Sequence, residues 1–243
     1  MKSLKSILEA SILADIDDQL EAGDEYIKEQ IRQFIEENYK GSVKISSEPN
    51  KDGKYEVSST GEVIVKNNKI TSLTNGYFVF TEVGGNFDCR NCYSLKSLEG
   101  APRKVKGYFM CWNCYELISL VGAPEEVGGN LLCSGCHSLT SLEGCPKKVK
   151  SIDCSVCKNL KSLEGCPKEL KLFDCTYCES LTTLKGGPEK VEDSFLCSGC
   201  HSLTSLEYAP KKVGDSFYCS NCKSQFTKND VKKVSDVKGK IFY

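Results

Sequence analysis

The hydrophobic positions of this chain recur with a period of about 22 residues over most of its length. The clearest column consists of pairs of leucines three residues apart. These pairs are Leu95/Leu98, Leu117/Leu120, Leu139/Leu142, Leu160/Leu163, Leu181/Leu184 and Leu203/Leu206. Glycine and proline occur in every unit, which excludes a repeat built from two helices. The pattern therefore predicts a solenoid in which each turn adds one short β-strand.

A second column consists of cysteine pairs of the form C-x-x-C. Seven pairs follow one another at steps of 22, 22, 21, 21, 22 and 22 residues, beginning at Cys89, Cys111, Cys133, Cys154, Cys175, Cys197 and Cys219. Some stretches repeat almost letter by letter, since CSGCHSLTSLEGCPKKV at 133–149 returns as CSGCHSLTSLEYAPKKV at 197–213. A step of this length is too short for tetratricopeptide, ankyrin or WD40 units and lies in the range of leucine-rich repeats.

The segment Phe87-x-Cys89-x-x-Cys92-x-x-Leu95, which recurs in each unit, resembles the cysteine form of the leucine-rich repeat. One turn earlier, Val63-x-Val65-x-x-Asn68-x-Ile70 resembles the asparagine form. The resemblance covers residues 61–224, about eight turns, and implies a mainly β solenoid with a parallel sheet on its concave face. It also implies a structural ladder of side chains that bond backbone groups of the loops: Asn68, Cys92, Cys114, Cys136, Cys157, Cys178, Cys200 and Cys222. The averaged repeat, LTSLEGAP-KKVGG-F-C, is similar to the short repeats of bacterial and bacteriophage proteins.

The two ends of the chain have the patterns of caps, which a solenoid needs over its open core. The N-terminal helical segment, 1–40, places Leu4, Leu8, Ile12, Ile16 and Leu20 on one helix face, with Gly23 as a stop before a second helix at about 25–38. Residues 41–60 alternate as a β N-cap around the turn Pro49–Gly53. The C-terminal cap, 225–243, begins with Thr227-x-x-Asp230, a capping-box pattern that predicts a short helix at 230–237.

Composition and charge narrow the cellular setting. Lys and Arg (32) balance Asp and Glu (33), so no net positive charge attracts the chain to nucleic acid. Acidic residues interrupt the N-terminal apolar positions, which favours an amphipathic helix over a signal peptide. No run approaches the roughly 18 apolar residues of a membrane span. We therefore expect a cytoplasmic protein, in the host cytoplasm if a phage encodes it, with no membrane partner and with free thiols.

The cysteine pairs admit four chemical interpretations besides a structural one. Zinc needs four side chains that converge, yet seven pairs do not divide into fours. Disulfides conflict with a reducing compartment, and redox C-x-x-C pairs normally precede a helix. Cys133–His137 and Cys197–His201 match the haem motif C-x-x-C-H, but the following position is variable in the other turns. The sequence therefore predicts no cofactor and no metal, with a thiol or zinc-binding protein as an alternative.

Candidate binding residues follow from the alternation of side chains along each strand, which sends every second residue to the concave face. Tyr108, Met110, the only tryptophan Trp112, and Leu132 then lie side by side, and Asp153 and Asp174 stack near the middle. Aromatic residues and methionine are enriched at the centres of protein interfaces.

These features favour a non-enzymatic module that binds another protein of unknown identity, with inhibition of a host defence or regulatory protein as one form of that role. No nucleophile and base lie at a catalytic spacing, and no glycine-rich phosphate loop precedes a helix. A structural component of a virion or of its assembly is the main alternative. The sequence does not specify the oligomeric state.

Overall fold

A computed structural model describes residues 22–243, so the predicted helix at 4–20 lies outside the described residues. The described chain winds into a β-solenoid of about nine turns, as the repeat predicts. Each turn contributes a strand to a long sheet, and most turns contribute a second strand to another face. The solenoid is bounded by one helix at each end of the described chain.

The long sheet has ten strands, each paired with the next turn. All pairings are parallel except the first, in which the strand Tyr39–Lys40 is antiparallel to the strand Val63–Val65. Its strands are β1 (Tyr39–Lys40), β4 (Val63–Val65), β6 (Phe87–Asp88), β8 (Phe109–Met110), β10 (Leu131–Leu132), β11 (Ser151–Asp153), β13 (Leu172–Asp174), β15 (Phe195–Leu196), β17 (Phe217–Tyr218) and β19 (Ile241–Phe242).

A second face, of which the sequence pattern predicted only the first two strands, consists of two shorter sheets. The first contains β2 (Lys44–Pro49), β3 (Tyr55–Ser59), β5 (Phe78–Val83), β7 (Lys104–Val105) and β9 (Glu126–Val127). The second contains β12 (Glu169–Leu170), β14 (Lys190–Val191), β16 (Lys212–Val213) and β18 (Asp236–Val237).

The break in the second face coincides with the shorter repeats. Three residues separate Val127 from Leu131, but only two separate Val149 from Ile152. The corner between the two faces is thus one residue shorter in the turn that contains Val149. On the second face, only an isolated β-bridge between Glu126 and Lys148 joins this turn to the preceding one. The long sheet continues without interruption because β10 and β11 pair in register.

The core consists of columns of identical or similar side chains, all fully buried. One column has stacked rings, with the Phe87 and Phe109 centroids 5.6 Å apart and the Phe173 and Phe195 centroids 5.7 Å apart. Leu131 and Ile152 fill the same column between the two stacks, and the predicted leucine pairs form the next columns. Each such side chain stabilises the fold by ~1.5–3 kcal/mol through burial.

The N-terminal end of the core is covered by helix α1, residues 22–38. Its Ile31 is fully buried and its Phe34 ring packs 5.9 Å from Phe78. The prediction that Gly23 ends a preceding helix is wrong, because Gly23 lies within α1. The predicted alternation around Pro49–Gly53 is confirmed as the antiparallel pair β2–β3.

The C-terminal end begins with the predicted capping box. The Thr227 hydroxyl and the Asp230 carboxylate cap each other's backbone, but helix α2 spans Lys228–Val234 rather than the predicted 230–237. The helix begins earlier because Thr227 is itself the N-cap, and it ends earlier because β18 pairs with β16. The last residues then add β19 to the long sheet, so the sheet continues past the last cysteine pair.

Candidate functional site

The seven cysteine pairs form two buried columns along the solenoid. All sixteen cysteines of the chain are free, and every one except Cys145 is buried. The thiol of the second cysteine in a pair donates to the carbonyl of the first cysteine one turn earlier, as Cys114 does to Cys89 at 3.2 Å. The same contact, at the same distance, is made by Cys136, Cys157, Cys178, Cys200 and Cys222.

This contact satisfies a backbone group that would otherwise have no partner. Within the described residues, no backbone N–H donates to the carbonyl of Cys89 or to its counterparts, such as Cys111 and Cys133. A buried carbonyl without a donor costs free energy comparable to a lost hydrogen bond. From Cys114 to Cys222, each second cysteine therefore supplies one weak donor to the turn before it.

Asn68 does not occupy the ladder position that the sequence suggested. Its side chain is exposed, and the residue equivalent to Cys92 is Asn67. The carbonyl of Asn67 accepts from the N–H of Ile70, as that of Cys92 accepts from Leu95. From Val63 to Ile70 this turn has one residue fewer than the next turn has from Phe87 to Leu95. The position equivalent to Cys92 therefore falls on Asn67. Cys92 consequently lacks the regular contact and lies 4.0 Å from the Asn67 carbonyl.

Burial keeps most of these thiols protonated at neutral pH. It raises the pKa of Cys92 to about 12 and raises the pKa of Cys154 well above its ordinary value. The last pair differs, because the hydrogen bond with Cys197 lowers the pKa of the Cys222 thiol. Cys222 also borders a cavity of about 650 Å³ at the C-terminal end, together with His201 and Tyr243.

The histidine that follows one haem-like motif belongs to an aromatic stack. The His137 ring lies parallel to Tyr115 with centroids 5.0 Å apart, and Tyr115 stacks on Tyr93 at 5.1 Å. His137 Nδ1 also lies 3.2 Å from the carbonyl oxygen of Val156. These contacts give the position after the cysteine pair a packing role in this turn.

Each cysteine pair encloses a residue in the left-handed region of backbone space. The third position of every C-x-x-C has a φ between 57° and 73°. These residues are Asn91, Asn113, Gly135, Val156, Tyr177, Gly199 and Asn221. Asparagine and glycine adopt this conformation readily, whereas Val156 is β-branched and is strained there.

The predicted binding residues lie on the outward face of the long sheet. From β6 to β19, its central row contains one residue from each strand in register: Asp88, Met110, Leu132, Asp153, Asp174, Leu196, Tyr218 and Phe242. Asp88 is 2 % exposed, Phe242 is 40 % exposed, and the six residues between them are partly exposed.

Four apolar side chains form a cluster at one end of this row, which we call the Trp112 cluster: Tyr108, Met110, Trp112 and Leu132. Met110 and Leu132 are register neighbours, and Tyr108 is 45 % exposed. The Tyr108 ring lies against Gly129, where a Cβ atom would clash with it. Met110 and Leu132 are thus adjacent on this face, with Tyr108 and Trp112 two positions to either side of Met110 along its strand direction.

A charged residue contacts the edge of the Trp112 cluster. The Arg90 guanidinium lies 5.4 Å from the centre of the Trp112 ring, and Arg90 Nε lies 2.9 Å from Asp88 Oδ2. Cation–π contacts of this kind hold an aromatic ring in place. Burial raises the pKa of Asp88, although its contacts with Arg90 oppose that shift.

Asp153 and Asp174 lie apart from the Trp112 cluster, side by side in the middle of the row. Each carboxylate oxygen Oδ1 accepts two hydrogen bonds from the residue two positions later, Ser155 and Thr176 respectively. Burial raises the pKa of Asp174, and the charge of Asp153 raises it further. Within the described residues, neither carboxylate forms a salt bridge.

A second apolar cluster at the other end of the row was not among the predicted site residues. Leu196 and Tyr218 are register neighbours, and the Tyr218 ring stacks on Phe242 with centroids 4.4 Å apart. We call Leu196, Tyr218 and Phe242 the Tyr218 cluster. The alternation that identified Met110 also applies to Leu196 and Tyr218, but Phe242 follows no repeat motif.

The second face is charged and largely self-paired. Lys148 and Lys104 both pair with Glu126, and Lys190 pairs with Glu169 on the adjacent turn. Surface pairs of this kind contribute little to stability. They nevertheless leave this face with few unpaired charges for a partner.

No protein-family model matches the chain, and no curated protein or solved structure shows significant similarity to it. Among residues 22–243, no group of three or more His, Cys, Asp or Glu is placed to hold a metal ion. No helix in the same range is long and apolar enough to cross a membrane.

Proposed function

We propose that this chain is a non-enzymatic, protein-binding solenoid of the leucine-rich-repeat type, and that it binds its partner with the outward face of the long sheet. The observation that carries the proposal is the Trp112 cluster. Large side chains of these types, grouped and accessible on a rigid sheet, have the composition of interface hot spots. The resemblance to phage-encoded repeats favours a host regulatory or defence protein as the partner.

Two further observations support this face over the others. The Trp112 side chain contributes nothing to the core columns, since the core side of its turn is formed by Phe109 and Cys111. The charged second face instead satisfies its own groups through pairs such as Lys148–Glu126. A rigid sheet with accessible apolar side chains also loses little entropy when it binds.

Affinity capture from a lysate of the source organism, with wild type and Trp112→Ala as matched baits, tests the proposal. We expect Trp112→Ala to fold normally and to lose about 2 kcal/mol of binding free energy, about 30-fold in affinity. Lys147→Glu, an exposed change in the loop edge, serves as the control and should bind like wild type.

Capture by wild type and Trp112→Ala alike, with loss only in Lys147→Glu, would place binding on the loop edge and contradict the proposal. Sedimentation of the purified protein and of assembled particles addresses the structural alternative. A virion or assembly component would co-sediment with particles, whereas a binding module would sediment with its partner.

A further inference from the structure

The outward face of the long sheet has a charge pattern that specifies its partner beyond being a protein. In the described chain, the central row has the Trp112 cluster at one end and the Tyr218 cluster at the other, with Asp153 and Asp174 between them. From Met110 to Phe242, the side chains of the row are therefore first apolar, then acidic, then apolar again.

Among residues 22–243, no cationic side chain pairs with either of the two carboxylates. Within the described residues, no basic side chain lies in the columns of this face on the strands of Asp153 and Asp174 or on the two strands beside them. The basic side chains of these columns lie nearer the ends of the sheet, at Lys40, Lys66, Lys240 and Arg90, and Arg90 pairs with Asp88. On these four strands the flanking positions carry amide, hydroxyl and apolar side chains: Asn130, Ser134, Ser151, Ser155, Leu172, Thr176, Ser194 and Ser198. Two like charges thus stand on adjacent strands without a counter-charge.

The strand spacing defines the dimensions of the pattern. Neighbouring strands of a sheet lie about 4.8 Å apart, so Leu132 and Leu196, three strands apart, are separated by roughly 14 Å. The midpoint between the two carboxylates is then about 7 Å from each leucine. Residues two apart in an extended segment, or four apart in a helix, are separated by about 6–7 Å.

We propose that the partner presents a basic segment to this face, with a lysine or arginine at the two carboxylates and apolar side chains on either side at the Trp112 and Tyr218 clusters. The cation bridges the outer oxygens of Asp153 and Asp174, since their other oxygens already accept hydrogen bonds from Ser155 and Thr176. This inference rests on the proposed function, because it concerns the same face.

Selection from a displayed library of random 16-residue peptides tests the inference without knowledge of the natural partner. Three baits are used: wild type, the double variant Asp153→Asn with Asp174→Asn, and Trp112→Ala. Asparagine retains the oxygen that accepts from the residue two positions later, so the double variant keeps the local turns. We expect wild type to enrich peptides with a central Lys or Arg between apolar residues.

The enriched peptide is then synthesised with its basic residue and with glutamine in its place. The basic peptide should bind the double variant about tenfold more weakly than wild type. The glutamine peptide should bind both proteins equally. An enriched consensus without a basic residue, or an equal loss for both peptides on the double variant, would overturn the inference while leaving the proposed function intact.

Failure of the proposed function gives a different result. Peptides that bind Trp112→Ala and the double variant as tightly as wild type would bind outside this face, and no enrichment at all would contradict both. Isothermal calorimetry of wild type with CaCl2 alone tests whether the two carboxylates bind a divalent cation instead. A binding heat that disappears in the double variant would assign the carboxylates to a divalent cation and overturn the inference.

Discussion

The Cys114 thiol lies 3.2 Å from the carbonyl oxygen of Cys89 on the preceding turn, and the carbonyl has no other donor in the described chain. Five further pairs repeat this contact. The cysteine repeat thus has a structural reason that requires neither metal nor disulfide. In six of the seven pairs, the second thiol connects one turn of the solenoid to the preceding turn.

Removal of one such donor should destabilise the fold. Cys136→Ala leaves the buried Cys111 carbonyl without a partner and empties a core position, so we expect a loss of ~1–3 kcal/mol in the free energy of unfolding. Denaturant titration measures it. Cys145→Ala is the matched control, since other turns carry alanine there, and should change stability by less than ~0.5 kcal/mol. An equal loss of unfolding free energy in the two variants would show that the Cys136 thiol does not stabilise the fold through its contact with the Cys111 carbonyl.

Relief of backbone strain should stabilise the protein at Val156. Its φ is 58°, a region in which five of the six equivalent positions carry asparagine or glycine. Val156→Asn should therefore raise the free energy of unfolding by ~1–2 kcal/mol. The reverse change, Asn113→Val, should lower it by at least as much, because it also removes the hydrogen bond from Asn113 to Asn91. Denaturant melts in which both variants match wild type would show that these turns relax without strain.

In the absence of a partner, the ionised Asp174 carboxylate should lower the stability of the fold at neutral pH. Burial and the charge of Asp153 raise its pKa in the folded state above the unfolded value, so folding favours the protonated form. The stability associated with protonation is present at low pH and is lost as pH rises through the folded pKa. Asp174→Asn should therefore melt at or above wild type at pH 7, and the difference should shrink as pH falls towards the ordinary carboxyl pKa.

Asp230 provides a control of opposite sign for that experiment. Its hydrogen bonds with Thr227 lower its pKa to about 2, so its stabilising contribution is present at neutral pH and is lost as pH falls through that value. Asp230→Asn should melt below wild type at pH 7. Parallel pH profiles for Asp174→Asn and Asp230→Asn would contradict the assignment for Asp174.

The repeat predicted the solenoid, the core columns and the outward-facing residues, because strict alternation and a regular step leave few arrangements open. Most of the second face escaped prediction because strands such as Lys104–Val105 are two residues long and carry no alternation. Asn68 was assigned in place of Asn67 because two adjacent asparagines fit either spacing, and only the hydrogen bond to Ile70 separates them. The final strand, Ile241–Phe242, has no repeat motif.

The location of the partner on the long sheet is the central claim, and site-specific photo-crosslinking tests it most directly. A photo-reactive phenylalanine analogue is placed at Leu132, in the Trp112 cluster, or at Thr140, an exposed residue of the same turn outside this face. After irradiation in a lysate of the source organism, we predict a partner adduct from position 132 and none from position 140. An adduct from position 140 alone, or none from 132 while the partner still co-purifies, would contradict binding at this face.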